Sequence, residues 1–148
     1  MKRTNRVVRV GKSRIGRGVF ARKMFRKTSI IGEMTGRVVV QEEMDPDYSV
    51  DLGKWGGLDP ARPFRFLNHC CEPNCRLIEF SDCNHPDGTP RLWVQALSTI
   101  RLGEELTIDY AWPAESTIEC QCGSESCRGF VVDRRELKLV ARRRRRAA

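Results

Sequence analysis

The chain has 148 residues, of which 40% are hydrophobic, 31% charged and 7% aromatic, and its formal net charge is +8. That length fits one domain and that composition can bury a core, which excludes a disordered polymer and a multi-domain machine. No apolar run approaches the roughly 20 residues of a bilayer-spanning helix, and no apolar segment follows the basic start, so neither a membrane protein nor a secretory signal is expected.

In chain order, the pattern predicts many short strands. Val7–Val10, Val19–Ala21, Ile30–Ile31, Val38–Val40 and Tyr48–Leu52 are short apolar or alternating runs separated by glycine, charge or turn residues. Arg76–Phe80 and Arg91–Ala96 read as two arms of a hairpin, because Asn84-His85-Pro86-Asp87-Gly88 between them is turn chemistry; His85 is then a surface residue. Leu106–Ile108, entered through Gly103, is a further strand. One helix closes the chain: Asp133 can cap it, Glu136 stands at the capping-box position, and Leu137 and Val140 share a face. The fold class is therefore mostly β, built from several small sheets, with short helices and a C-terminal helix.

The five arginines Arg142 to Arg146 carry five of the eight net positive charges. They read either as a nucleic-acid or chromatin anchor or as a solvated tail with weak polyanion contact, and because no nucleic-acid-binding motif accompanies them the solvated tail is the expectation. The seven cysteines are an odd number, which points to an intracellular, reducing compartment rather than a disulfide framework. Cys120-x-Cys122-x4-Cys127 packs three thiolates that would repel one another without a cation, and zinc with four thiolates is the usual solution. The fourth ligand must come from elsewhere, with Cys70, Cys71 and Cys75 as candidates. Small buried hydrophobes are the other reading of these thiols, but Glu119, Gln121, Ser124, Glu125 and Ser126 make that stretch too polar for a core.

Three distant segments carry the chemistry. Gly16-Arg17-Gly18 leads into Val19 and Phe20. Arg65-Phe66-Leu67-Asn68-His69-Cys70-Cys71-Glu72-Pro73-Asn74-Cys75 is a polar run without helical or strand period. Gly103-Glu104-Glu105-Leu106-Thr107-Ile108-Asp109-Tyr110 leads to the cysteine cluster. Together they resemble the SET-domain protein lysine methyltransferases with a post-SET zinc segment. Arg65–Asn74 is similar to the family's R-F-I-N-H-S-C-x-P-N, Gly103–Tyr110 to G-E-E-L-T-[FY]-D-Y, Cys120–Phe130 to the post-SET C-x-C-G-x4-C-x-G-[FY], and Gly16–Phe20 to G-x-G-[VL]-F.

The resemblance implies a fold of small sheets in which the Asn-His and Asp-Tyr segments meet in a pseudoknot. It implies residues 1–11 as a lead-in, 12–113 as the SET domain, 114–132 as the post-SET segment and 133–148 as the helix and arginine-rich tail. The implied activity is methyl transfer from S-adenosylmethionine to a protein lysine, with histone or histone-like tails as substrate. The implied location is nucleus or chromatin in a eukaryote, and cytoplasm or nucleoid otherwise. Tyr110 is the implied catalytic residue. Ile15, Gly16, Arg17, Gly18, Tyr48, Arg65, Asn68, His69, Gln121 and Phe130 are implied at the cofactor, Tyr48, Ile108, Tyr110 and Trp112 at the lysine channel, and Cys71, Cys120, Cys122 and Cys127 at zinc. Glu42, Glu43, Asp45, Asp47 and Asp51 could give a basic tail an acidic match.

Two positions depart from the family. Cys70 replaces its serine, which leaves two adjacent thiols as rival ligands. Ile108 replaces an aromatic two residues before the tyrosine, which predicts a di- or trimethylating enzyme. The readings from other classes are a non-catalytic SET-like module that binds zinc and peptide, and a zinc-ribbon nucleic-acid binder. The latter leaves the non-cysteine motifs unexplained. A Cys-His protease is disfavoured, because His69 and Cys70 are neighbours in sequence.

Overall fold

The computed structural model describes residues 4–148. A short helical turn, α1 (Thr4–Val7), takes Val7 out of the expected first strand, and β1 starts at Val8 (Val8–Lys12). Ser13 and Gly16 close the turn into β2 (Arg17–Ala21), with the Ser13 amide donating to the Gly16 carbonyl at 2.8 Å. β1 and β2 pair antiparallel from Val8↔Ala21 to Lys12↔Arg17. Their inward residues Val8, Val19 and Ala21 are buried, as alternation on a one-sided sheet requires.

The second sheet has the order β3-β9-β8. β3 (Ile30–Met34) pairs with β9 (Leu92–Ala96) across a register shift between Ile30 and Gly32, and β8 (Cys75–Glu79) joins β9 as the expected hairpin. The third sheet, β4-β6-β5, consists of β4 (Gly36–Val39), β5 (Val50–Asp51) and β6 (Gly57–Pro60). Tyr48 lies in a turn ahead of β5 rather than in the strand expected over Tyr48–Leu52. β6 has no sequence signal, since Gly57-Leu58-Asp59-Pro60 lacks both β-branched residues and a clean alternation.

The remaining strands knit the first sheet. β10 (Glu105–Ile108) pairs antiparallel with β2 and parallel with the two-residue β7 (Asn68–His69), giving the order β1-β2-β10-β7. The polar run expected to be a structured loop thus supplies most of a 3-10 turn, Phe64–Phe66, and an edge strand. A large apolar core joins the sheets through Val8, Val19, Phe25, Leu58, Phe64, Val94, Ile100 and Leu106. A second, small cluster of Ala114, Val132 and Val140, with Phe130 and Leu137 against it, holds the C-terminal part.

The last helix, α2 (Leu137–Ala147), takes the arginines into helix rather than leaving them as tail. Asp133 caps the one-turn 3-10 segment Arg134–Glu136 that leads into it, its Oδ1 accepting from the Arg135 amide at 2.8 Å. Glu136 does not close a capping box. Its Oε2 instead accepts from the Ala114 amide at 2.7 Å, fastening the helix to the chain that follows the first sheet.

Candidate active site and metal centre

Parallel pairing of β7 with β10 sets Asn68 opposite Thr107 and His69 opposite Ile108, so the two distant motifs meet at one sheet edge. Asn74 fastens the same junction, accepting from the Thr107 amide at 2.9 Å and donating to the Glu105 carbonyl at 2.8 Å. Beyond Ile108 the chain turns sharply. Ala111 has φ 47°, a left-handed conformation costly for a residue with a Cβ, and its amide donates to Asp109 Oδ1 at 3.0 Å. This turn lays Trp112 beside Tyr110, with ring centroids 5.4 Å apart.

Tyr110 is held at both ends. Its amide donates to His69 Nδ1 at 3.1 Å, and its hydroxyl donates to the Leu67 carbonyl at 2.6 Å. Burial, followed by the charges of Tyr48, Asp47 and Glu105, pushes the phenol up to about 12. It therefore keeps its proton at neutral pH and acts as a donor, not as a base.

Tyr110 faces a cleft of about 600 Å³ that Tyr48, Arg65, Ile108 and Trp112 also line. Asp45, Asp47, Asp51 and Asp109 line it too, against one cation, Arg65. Arg65 pairs with Asp59 and, at 3.5 Å, with Asp45, while its guanidinium lies 4.1 Å above the Tyr48 ring. Little of that positive charge is left for the cleft, whose rim is acidic. Glu42 and Glu43 lie outside the lining.

The other residues expected at a cofactor do not line that cleft. The Asn68 side-chain Nδ2 donates to the Arg17 carbonyl and to Glu105 Oε1, both at 2.8 Å, which ties the turn between β1 and β2 to β7. A Cβ on Gly18 would meet the Glu105 carboxylate and Ser13 Cβ, so glycine lets the Glu105 carboxylate sit where it accepts from Asn68. Arg17 lies 5.4 Å above the Phe66 ring, and its guanidinium has no carboxylate partner among the described residues. Ile15 is 42% exposed beside it. Arg14 abuts Gly123, where a Cβ would strike its guanidinium, so the turn also meets the cysteine segment. Gln121 is exposed; Phe130 packs on the second cluster with Arg144 4.3 Å above its ring.

Cys71, Cys120, Cys122 and Cys127 bring their sulfur atoms within 4.8 Å of one another. Cys71 lies 3.7 Å from Cys120 and 4.0 Å from Cys127. Tetrahedral zinc with bonds of about 2.3 Å needs edges of about 3.8 Å, so the four thiols fit that ion. Cys70 stands outside the set, and Cys75 is buried in the main core, where burial pushes its thiol up to about 12. The Arg128 and Gly129 amides donate to the sulfurs of Cys71 and Cys127, each at 3.4 Å, as outer partners of a thiolate site should. Burial opposes ionisation of Cys122, but the Cys71 amide and Ser124 outweigh it and draw its thiol down to about 5.

His69 joins the two centres. Burial lowers it below its ordinary value, with Asp109 pulling upward and Arg128 downward, so the ring is neutral at neutral pH. Its Nδ1 accepts from the Tyr110 amide, which leaves the proton on Nε2, 3.4 Å from the Cys71 sulfur. One imidazole thus touches the tyrosine and a candidate metal ligand. Arg128, whose side chain is 6% exposed, grips Asp109 through two bonds of 2.7 Å. Burial works against the Asp109 charge, but Arg128 and the Ala111 amide hold its carboxyl below the usual range. Sequence reasoning missed this pair, because a lone arginine after the last cysteine carries no signal of a partner 19 residues away. It also missed the roles of Asn74 and Glu105, although both stand inside the quoted motifs.

A family model for the SET domain matches residues 16–111. Relatives include a "Histone-lysine N-methyltransferase, H3 lysine-4 specific" of Kluyveromyces lactis, 37% identical over 94 residues, covering 60% of this chain and 8% of the relative. "Histone-lysine N-methyltransferase set-2" of Caenorhabditis elegans is 28% identical and covers 88% of this chain and 10% of the relative. The chain therefore spans about a tenth of the length of these two proteins. A crystal structure of KRYPTONITE in complex with mCHG DNA and SAH superposes with a TM-score of 0.72 over 84% of this chain and 28% of that one, at 24% identity, a likeness that bears on the fold. With the motifs in order, the fold matched and the family model running over residues 16–111, the chain belongs to the SET domain family.

Proposed function

We propose that this chain transfers methyl groups from S-adenosylmethionine to a lysine of a basic protein segment, with a histone or histone-like tail as substrate. The observation that carries the reading is Tyr110, whose hydroxyl is fixed on the Leu67 carbonyl at the acidic cleft while its amide is fixed on His69. Asp45, Asp47 and Asp51 draw a basic segment to the rim. Deeper in, Ile108, Trp112 and the Tyr110 ring strip water from the amine and favour its neutral form. Tyr110 stays protonated and orients the amine by geometry rather than by taking its proton.

S-adenosylmethionine, when bound, supplies a methyl group activated by a sulfonium. The turn 13–18, tied to Asn68 through the Arg17 carbonyl and abutting Gly123 through Arg14, together with His69 and the 120–130 segment, supplies the residues that would hold it. The unpaired Arg17 guanidinium suits its carboxylate, and exposed Ile15 suits an apolar part. Cys71, Cys120, Cys122 and Cys127 would hold one zinc that keeps the 120–130 segment in place. On this reading residues 12–113 are the catalytic domain, 114–132 the post-SET segment, and 133–148 a C-terminal helix. Ile108 leaves room for a methylated amine, so the products are di- and trimethyl-lysine.

Incubating the zinc-loaded protein with S-adenosylmethionine and a panel of histones and basic peptides tests this. Mass spectrometry should find lysine methylation. Folded, zinc-loaded protein that methylates none of them would sink the reading.

A further inference from the structure

The arginines of α2 divide into two sets. At about 100° per residue, Leu137, Val140 and Arg144 turn toward the post-SET segment. Val140 is buried and Leu137 packs beside it. Arg144 donates to Glu119 at 3.1 Å and covers Phe130, and Arg143 lies 4.0 Å from Glu115. These contacts fix how the helix is rotated. Lys138, Arg142, Arg145 and Arg146 then fall within an arc of about 100° on the outer side, at the spacing i, i+4, i+7, i+8. All four are exposed, and none has a hydrogen-bond or ion-pair partner among the described residues. Over about 12 Å of helix they form a straight row of cations on a rigid support.

We infer that this outer face of α2 binds duplex DNA through its phosphates. The charges are complementary: duplex DNA carries about one negative charge per 1.7 Å of axis. The shape agrees, because the major groove of B-form DNA, about 12 Å wide, admits an α-helix, whereas that of A-form RNA is too narrow. Single strands are disfavoured, because no aromatic side chain stands on this face for bases to stack on. A membrane is disfavoured as well. Leu139 is the one large exposed apolar side chain on α2, and one leucine is not an apolar face. Contacts to phosphates carry no sequence information, so the binding is expected to be independent of sequence, and it stands whether or not the chain methylates lysine.

Fluorescence anisotropy of the full chain with a short labelled duplex tests this. Four phosphate contacts predict an affinity that falls about 100-fold between 50 and 200 mM salt. A variant carrying Lys138→Gln, Arg142→Gln, Arg145→Gln and Arg146→Gln should bind at least about 10-fold more weakly and with a flatter salt dependence. It should keep the helical circular dichroism of the parent and its methyl transfer to a short peptide. Replacing the same arginines by lysine should retain binding, because phosphate contacts need charge rather than a fork. The double variant Arg143→Gln/Arg144→Gln should bind nearly as the parent does. Parental affinity in the quadruple variant overturns the proposal, as does an equal loss in the double variant. Tighter binding to single strands, duplex RNA or anionic vesicles than to duplex DNA overturns it too.

Discussion

The β body and the segment after Ala111 are held together by different forces. The body has a broad apolar core in which Val19, Val94, Ile100 and Leu106 are fully buried, and its strands satisfy one another. The C-terminal part has a core of three buried residues and two half-buried ones. Its remaining attachments are polar: four thiols, the Arg128–Asp109 pair, Arg134 donating to the Cys71 carbonyl at 2.8 Å, and Glu136 on the Ala114 amide. The difference leads us to expect that the body depends mainly on hydrophobic burial, whereas the C-terminal part depends more on its charges and thiolates. The residues proposed for the cofactor come from both regions.

The largest effect should follow from removing the metal. Chelation or Cys122→Ser is expected to cut methyl transfer by at least about 1000-fold, since the structural free energy of such a site is large. The melting of the β body should barely move. Elemental analysis should find one zinc per chain before treatment. A body that unfolds together with the metal would erase the distinction between the regions.

Next comes Tyr110→Phe, which removes one hydroxyl from the junction. A loss in turnover of about 100-fold or more is expected, in line with the deletion of one oriented donor. Stability and zinc content should hold. Steady-state kinetics decide it, and near-parental turnover would refute the role.

Arg128→Met tests the polar latch without touching a thiol. Turnover should fall about 10-fold with zinc retained, and a double-mutant cycle with Asp109→Asn should show coupling of about 1–3 kcal/mol. The pH dependence has a defined sign. Asp109 is lowered in the fold, so its contribution is present above the ordinary carboxylate range and lost as pH falls through the lowered value. The latch should therefore be unaffected between neutral and mildly acidic pH.

Smaller still are the core truncations. Val94→Ala should destabilise the body by about 2 kcal/mol, and Val140→Ala should cost about half of that, because a small cluster relaxes around the two lost methyl groups. Equal costs in thermal denaturation would mean that the two regions melt as one unit. The smallest effect on rate is expected for Ile108→Tyr, which should shift the product toward monomethyl-lysine. Mass spectrometry at saturating S-adenosylmethionine reads this directly, and monomethyl-lysine alone from the parent chain would show that another side chain, such as Trp112, limits the space.

Much of the fold was legible. The hairpin of β8 and β9 was visible from its alternation and its Asn84–Gly88 turn, and the C-terminal helix from the spacing of Leu137 and Val140. β6 and β7 were not. Their residues have no local preference for strand and become extended because β4 and β10 present unpaired backbone groups to them. Glu136 illustrates the same limit: its spacing from Asp133 suits a capping box, but the Ala114 amide, 22 residues away, takes its carboxylate.

The sequence by itself determined the residue chemistry: three clustered thiols, a glycine turn, and the Asn-His and Asp-Tyr pairs, whose order and spacing mark the family, and besides them a run of arginines. Those signals are local in the chain, where composition and period can be read. Only the tertiary structure decided which atoms meet. It set Cys71 rather than Cys70 among the thiols, aimed the two nitrogens of His69 at Tyr110 and Cys71, and gave Asp109 to Arg128. It also split the arginines of α2 into a bound face and a free one. Each of these choices rests on contacts between distant segments, and such contacts are fixed by sheet pairing and packing that no local stretch of sequence encodes.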